Sequence, residues 1–193
     1  WRQAFNGPVQ GTPTVVDGTV YVVSRDNRAF AVDASNGRLR WELMATPTPS
    51  VMVGGAGPAV TPRNVILPFG ASEVVGALRV SGTRAWSEFV AGERRGRAYT
   101  GDTDITGDPV VVGDTVYVGT QSGRTVALDI NSGERKWTAT EGAYSPVWPV
   151  GNSVFLVSDA NQLVRLDAST GQPIWSVSLP QFKKKRVRRL KAV

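Results

Sequence analysis

The sequence predicts an all-β protein, a β-propeller of four-stranded blades, and three observations lead to this fold class. Tryptophans recur at intervals of 40, 45, 51 and 38 residues between Trp1 and Trp175, which is a spacing typical of blade-sized repeats. A short segment with Asp, Gly and Trp at fixed offsets recurs with them. Runs of β-branched residues separated by Gly- and Asn-containing turns fill the intervals, and no helical periodicity competes with them.

The recurring segment has three copies that superimpose without gaps. Each carries an aspartate, a glycine four residues later and a tryptophan four residues after that. The three sets are Asp33, Gly37 and Trp41; Asp129, Gly133 and Trp137; and Asp167, Gly171 and Trp175. A fourth copy, from Ala77 to Trp86, is degenerate and is interpreted as one residue shorter, and Trp1 is interpreted as the end of a preceding copy.

The repeated residue types indicate framework roles. An aspartate before a turn accepts hydrogen bonds from turn amides, and a glycine permits a left-handed backbone that a Cβ would oppose. A tryptophan offers a large flat apolar face that can seal the gap between neighbouring sheets. We therefore assign these residues to the fold and not to a functional site.

Each copy divides into four short strands. In the first, Thr14–Val16 and Val20–Ser24 flank the two-residue turn Asp17-Gly18, and Phe30–Val32 and Leu39–Leu43 follow. This pattern predicts a single partial propeller over residues 1–193. The predicted blades cover residues 12–43, 58–89, 107–140 and 145–179, and residues 180–193 are predicted to be a basic connector to a further blade.

Composition narrows the chemistry. The chain has no cysteine and no histidine, which removes the thiolate nucleophile and the commonest general base and metal ligand. Hence we predict no catalytic residues, no cofactor and no metal ion. The net charge of +6 comes from the tail, where seven cations between Lys183 and Lys191 leave 15 of the 22 cations against all 16 anions elsewhere. The tail lacks interleaved aromatic residues, so nucleic-acid binding is not predicted.

The A-x-D-x-x-x-G-x-x-x-W pattern resembles the tryptophan-docking motif of propellers related to quinoprotein (PQQ) dehydrogenases. Within that superfamily, the stretch from Gly101 resembles the BamB family, lipoprotein scaffolds of the outer-membrane β-barrel assembly machinery. The resemblance lies in Asp102-Thr-Asp104, in the strand pair Pro109–Tyr117 and in Leu163–Asp167 closed by Trp175.

The resemblance implies a non-enzymatic protein-binding scaffold on the periplasmic face of the bacterial outer membrane. The implied partner is the barrel-inserting subunit of the machinery, and membrane attachment is implied only through a lipid anchor absent from this chain. Family members have eight blades, so we expect either a portion of a longer protein or two copies that complete one ring.

The resemblance also implies the site. Family members contact their partner through an acidic D-x-D loop, which Asp102 and Asp104 match by type and position. The basic residue that the family places one blade earlier is missing here, and the apolar stretch of Val51, Met52 and Val53 stands in its place as a contact surface. Both candidates lie in long connections, residues 43–57 and 87–106, and long loops in compact domains are usually functional or disordered.

Two other functions share the fold class. A quinoprotein dehydrogenase would hold PQQ and calcium and often a vicinal disulfide, and a ligand-sensing ectodomain would adjoin a transmembrane helix. Calcium loops need about six or more oxygen ligands, and the D-x-D element alone is a poor match to them. The acidic loop could also be a solvated loop between blades.

Overall fold

The computed structural model of the chain describes residues 1–47, 55–91, 104–121 and 123–180. In these residues sixteen strands form four antiparallel sheets, each of four strands in sequential order. The one helical element found there is a short 3-10 turn, Gly70–Ser72. The chain is thus nearly all-β and forms part of a β-propeller, as predicted.

The first two blades are joined by the first long connection. Blade 1 consists of β1 (Val9–Val16), β2 (Thr19–Ser24), β3 (Arg28–Asp33) and β4 (Leu39–Met44). Blade 2 consists of β5 (Ala59–Val60), β6 (Asn64–Pro68), β7 (Glu73–Leu78) and β8 (Arg84–Phe89), with the 3-10 turn between β6 and β7.

The last two blades repeat the arrangement. Blade 3 consists of β9 (Val110–Val112), β10 (Thr115–Thr120), β11 (Arg124–Asp129) and β12 (Arg135–Ala139). Blade 4 consists of β13 (Trp148–Val150), β14 (Ser153–Val157), β15 (Gln162–Asp167) and β16 (Pro173–Ser178). No helix in the described part of the chain is long and apolar enough to cross a membrane.

Successive blades pack face to face through apolar side chains. Alternate residues of β2, β3 and β4, among them Tyr21, Ala31 and Trp41, point toward blade 2 and meet Val65 and Leu67 of β6. Equivalent clusters join blade 2 to blade 3 and blade 3 to blade 4. Both faces of an internal blade are therefore buried, which explains why its central strands are almost continuously apolar.

Four tryptophans of the repeat dock on glycine turns, each on the turn of the blade that follows it. The Trp41 indole donates a hydrogen bond from Nε1 to the carbonyl of Arg79 at 2.9 Å, and its ring lies where a Cβ on Gly82 would stand, at 2.6 Å. The same docking is made by Trp1 on Gly37, Trp86 on Gly133 and Trp137 on Gly171. The indole is thus the structural link from blade to blade.

The degenerate copy in blade 2 is full length, so the prediction that it is one residue shorter was wrong. The Gly82 amide donates to the Leu78 carbonyl as the Gly37 amide donates to that of Asp33. Leu78 therefore stands in the aspartate position and Gly76 opposes Trp86 in the register. A Cβ on Gly76 would lie 2.1 Å from the Trp86 ring, so glycine takes the place of the motif's alanine here. The sequence comparison had placed Ala77 at that position, which made the copy look one residue too short.

Candidate partner-binding site

The two long connections both start from one end of the sheets. In each blade the turn between the second and third strands and the exit from the fourth strand lie at this end, which we call the loop end. The turns between the first and second strands and between the third and fourth strands lie at the opposite end. The predicted contact residues all belong to connections of the loop end.

The first connection leaves blade 1 through two buried polar side chains. Asn27, in the β2–β3 turn, donates from Nδ2 to the Thr46 carbonyl at 2.6 Å and accepts at Oδ1 from the Gly70 amide at 3.0 Å. The Thr46 amide donates to Glu73 Oε2 at 3.0 Å. The start of the connection is therefore tied to the 3-10 turn of blade 2.

Glu73 is 1% exposed, and its buried carboxylate stays ionised because several donors bond to it. Ser87 Oγ donates to Oε1 at 2.7 Å, and the Arg84 guanidinium lies 3.8 Å from the same oxygen. Burial alone raises the pKa of Glu73, but the hydrogen bonds from Ser87 and Thr46 outweigh it, so the pKa lies below its ordinary value. The anion is thus the form that the fold holds.

The far end of the first connection is fixed by a second carboxylate. The Gly57 amide donates to Asp108 Oδ1 at 2.6 Å, and Thr14 Oγ1 donates to the Pro58 carbonyl at 2.6 Å. A Cβ on Gly57 would stand 2.3 Å from the Thr12 carbonyl oxygen, so only glycine allows this close approach to β1. Asp108 follows the second connection, and it therefore links the two connections.

The second connection leaves and returns at neighbouring residues of the 3-10 turn. The Val90 amide donates to the Ser72 carbonyl at 2.9 Å, and Asp104 Oδ1 accepts from the Ala71 amide at 3.0 Å. Ala71 and Ser72 both have a left-handed backbone, with φ of 56° and 58°, which is costly for residues with a side chain. The Asp104 carboxylate and the Asn27 side-chain carbonyl hold this turn by accepting from the amides of Ala71 and Gly70.

The structure thus places one of the predicted contact residues and gives it an anchoring role. Asp104 is 8% exposed, with its carboxylate on the Ala71 amide. Asp102 and the apolar stretch of Val51, Met52 and Val53 lie outside the described residues, as does the basic tail. Partner contact by Asp102 and by Val51, Met52 and Val53 stays a prediction, as does the role of the tail as a connector to a further blade.

Sequence reasoning missed Asn27, Glu73 and Asp108, which do most of the anchoring. Their hydrogen bonds span between 14 and 51 residues, so no local motif contains both partners. One signal was available, because Glu73 opens an otherwise apolar strand, Glu-Val-Val-Gly-Ala-Leu. A buried carboxylate there needs hydrogen-bond donors from elsewhere in the fold.

The carboxylates of this region anchor the backbone of the connections. Each of the three carboxylates accepts a hydrogen bond from a backbone amide of a connection or of the 3-10 turn. Within the described ranges no group of three or more His, Cys, Asp or Glu side chains could hold a metal ion. These bonds fix the ends of both connections relative to the blades.

Comparison with known proteins gives consistent results. A family model described as outer membrane protein assembly factor BamB matches residues 1–177. An outer membrane protein assembly factor BamB from Nitrosomonas eutropha is 24% identical over 137 residues, which are 71% of this chain and 34% of the relative. The chain thus spans about a third of that relative's length.

Solved structures show the same fold. BamB from Moraxella catarrhalis superimposes with a TM-score of 0.77 at 19% identity, covering 88% of this chain and 52% of that one. The quinohemoprotein alcohol dehydrogenase of Comamonas testosteroni superimposes with a TM-score of 0.71 at 18% identity, covering 89% of this chain and 35% of the enzyme. At these identities the likeness concerns the fold alone.

Proposed function

This chain belongs to the family of the outer membrane protein assembly factor BamB, and on that premise we propose that it is a non-catalytic protein-binding scaffold of the outer-membrane β-barrel assembly machinery. It acts at the periplasmic face of the outer membrane and binds the barrel-inserting subunit. Its blades provide the rigid support, and the loop end provides the binding surface.

The observation that carries the proposal is the shared anchoring of both long connections. Thr46 at the start of the first connection and Val90 and Asp104 at the two ends of the second are all bonded to residues 71–73. Loops held by a rigid scaffold lose less conformational entropy when a partner binds them than free loops do. This arrangement supports recognition by two loops acting together.

The two aspartates of the acidic loop then have different roles. Asp104 is buried and fixes the loop through the Ala71 amide, whereas Asp102 is proposed to contact the partner. Val51, Met52 and Val53 are proposed to supply the apolar part of the contact. Binding residues on loops and framework residues beneath them are a common division of roles in recognition sites.

A charge reversal tests this proposal. We expect Asp102→Arg to weaken co-purification of the barrel-inserting subunit at least about tenfold, because like charges across an interface cost affinity and on-rate. Asp114→Arg is the matched control, since Asp114 is an exposed carboxylate at the opposite end of blade 3 and should leave binding unchanged. Undiminished binding by Asp102→Arg, with the fold intact by circular dichroism, contradicts the site assignment.

The likeness to quinohemoprotein dehydrogenases defines the experiment that separates the two functions. The purified chain is mixed with PQQ and Ca²⁺ and assayed for a bound chromophore and for dye reduction with alcohols or glucose. The scaffold proposal expects neither signal. Saturable binding of PQQ together with turnover would replace it with a dehydrogenase function.

A further inference from the structure

A cleft at the opposite end of the sheets, between blades 1 and 2, is set apart from the site described above. It has a volume of about 260 Å³ and is lined mainly by Asp17, Tyr21, Arg40, Pro62, Arg79 and Val80. Asp17 lies in the β1–β2 turn, and Arg79 follows β7 in the turn to β8. A ligand in this cleft would leave the loop end accessible.

Arg79 brings a second guanidinium into this cleft. Its carbonyl accepts the Trp41 indole hydrogen bond, a role that Ala34, Ile130 and Ala168 fill at the other junctions of the described chain. The docking needs only the backbone carbonyl, so the long cationic side chain is not required for it. Arg40, by contrast, has a cationic counterpart in blade 3, where Lys136 likewise bonds to the threonine that opens the second strand of its blade.

The guanidinium groups of Arg40 and Arg79 already donate hydrogen bonds within the chain, but each has further N–H groups. Arg79 Nε donates to the Tyr21 hydroxyl at 3.1 Å and its Nη2 to Asp17 Oδ2 at 2.6 Å, which uses two of its five N–H groups. Arg40 donates to Thr19 Oγ1 and to Asp33 Oδ2. A planar guanidinium fixed in this way is suited to bind a carboxylate.

Asp17 occupies the exposed side of Arg79 and can be exchanged. The side chain of Asp17 is 76% exposed and that of Arg79 is 13% exposed. Because its carboxylate end lies in solvent, this ion pair is partly screened, and an incoming carboxylate can compete with Asp17 for Arg79. Val80, which is 90% exposed, and Pro62 place apolar surface beside this position.

We propose that this cleft binds an acidic, partly apolar segment of a protein partner, with one carboxylate on Arg79 in place of Asp17 and an adjacent apolar side chain against Val80 and Pro62. That the ligand is a protein rests on the proposed scaffold function, whereas its acidic and apolar character is inferred from the residues that line the cleft. Because the cleft and the loop end lie at opposite ends of the same sheets, the chain can hold two segments at once.

The test measures peptide binding by the full chain and does not involve the assembly machinery, so its outcome is separate from that of the Asp102→Arg experiment. The probe is a fluorescein-labelled peptide of alternating leucine and glutamate with an amidated end, followed by fluorescence anisotropy. A leucine–glutamine peptide is the uncharged control. We expect saturable binding of the acidic peptide that weakens between about 50 and 500 mM NaCl, since exposed charges are screened at high salt.

Three variants locate the binding. Arg79→Gln should weaken it at least about tenfold, because it removes a charge-assisted pair, and Asp17→Asn should strengthen it about threefold by removing the internal competitor. Arg135→Gln is the matched control, since this arginine is also paired with a carboxylate, Glu88, but in another blade, and it should bind as the wild type does. If Arg79→Gln does not fold, the Asp17→Asn result decides alone.

Several results would overturn the proposal. Absence of saturable binding would do so, as would affinity that neither Arg79→Gln nor Asp17→Asn changes. Equal binding of the leucine–glutamine peptide would show an apolar surface without carboxylate recognition. Displacement of the peptide by inorganic phosphate at concentrations as low as those of unlabelled peptide would show a small-anion site only.

Discussion

Among single residues, the repeated aspartates show what the motif is for. Asp33 accepts from the Ser35 hydroxyl at 2.5 Å and from the Ser35 amide at 2.9 Å, and Asp167 makes the same pair of bonds with Ser169. Asp129 accepts from the amides of Asn131 and Ser132. These bonds hold the carboxylate in its anionic form and fix the turn on which the preceding tryptophan docks.

The pKa values of these aspartates make the turns sensitive to acid. Hydrogen bonds from Ser35 and Arg40 lower the pKa of Asp33, backbone bonds from Ser132 and Asn131 lower that of Asp129, and bonds from Ser169 lower that of Asp167. A pKa that is lower in the folded state gives stability that is present above the ordinary value of 3.8 and is lost as pH falls through the folded value. We expect their carboxyl ¹³C resonances to titrate below pH 3.8. A midpoint at or above that value would contradict the assigned bonds.

Glu73 gives a second prediction for a single side chain. Glu73→Gln keeps the size of the side chain but turns part of the acceptor into a donor that faces the Thr46 amide or the Ser87 hydroxyl. We expect a loss of about 1–3 kcal/mol in the free energy of unfolding, the cost of leaving a buried polar group unsatisfied, measured by urea titration at pH 7. Glu88→Gln is the control, because Glu88 is a partly exposed glutamate of the same blade. A variant as stable as wild type would show that Glu73 does not anchor the connection.

The residues also show how far the sequence alone could go. The recurrence of Asp, Gly and Trp identified the docking turns. The hydrogen bonds of the aspartates lie within one local motif, and those of the indoles span about one repeat. Asn27, Glu73 and Asp108 act over distances in sequence that no motif spans, and their environment exists only after blades 1, 2 and 3 pack. The sequence suggested Asp104 as a partner contact by its type and position, and the structure adds that its carboxylate accepts from the Ala71 amide.

For the elements, the blade junction is the unit that decides stability. Each junction combines an indole hydrogen bond, a glycine in a left-handed backbone and the apolar faces of two sheets. Arginines at the start of the fourth strand add a further link, since Arg84 donates to the Met44 carbonyl of blade 1 and Arg135 to the Phe89 carbonyl of blade 2. The outer strands are thus tied to one another as well as to their own sheets.

Two glycines in blade 3 distinguish the two reasons why a turn position requires glycine, which are a left-handed backbone and contact with a docked indole. Gly133 has φ of +74° and its added Cβ would lie 2.6 Å from the Trp86 ring, whereas Gly113 has φ of +60° and open space around it. Gly113→Ala should therefore cost roughly 1–2 kcal/mol for the left-handed backbone alone. Gly133→Ala should cost about 1–3 kcal/mol more, because the indole must move from its docking position. Equal losses in thermal or urea unfolding would show that the docking contact contributes nothing.

The degenerate copy in blade 2 has a turn that the repeat motif could not predict. Blade 2 keeps the docking glycine and the tryptophan but has Leu78 where the other blades have the aspartate. Its turn is closed by backbone bonds, by the Ser81–Thr83 hydroxyl pair and by the Thr83 amide, which donates to Ser81 Oγ. A search for the aspartate cannot find such a turn. The strand pairing survives because the alternation of apolar residues, not the aspartate, sets the register.

At the scale of the whole molecule, the described residues form a series of blade junctions, and the outer face of blade 4 is exposed there. Trp41, Trp86 and Trp137 are each 8% exposed, whereas Trp175 is 38% exposed and all of β16 is exposed. Trp148, Val157 and Val177 share this exposure. In an array whose units contact only their neighbours, stability is a sum of units and interfaces, so blade 4 has one interface fewer than blades 2 and 3 in the described structure.

This asymmetry predicts different costs for two equivalent tryptophans. Trp137 and Trp175 each lie beside an aromatic ring of their own blade, with centroids 5.9 Å from Tyr117 and 6.0 Å from Phe155. Within residues 1–180, where the structure describes them, Trp137 also docks on the glycine turn of a following blade and Trp175 does not. We expect Trp137→Ala to lower the free energy of unfolding by about 3–5 kcal/mol, as for a buried aromatic residue, and Trp175→Ala by about 1–2 kcal/mol, because much of its surface is already in water. Urea unfolding followed by far-ultraviolet circular dichroism measures both. Equal losses would mean that the face of β16 is covered in solution, and the series of junctions would then continue beyond blade 4.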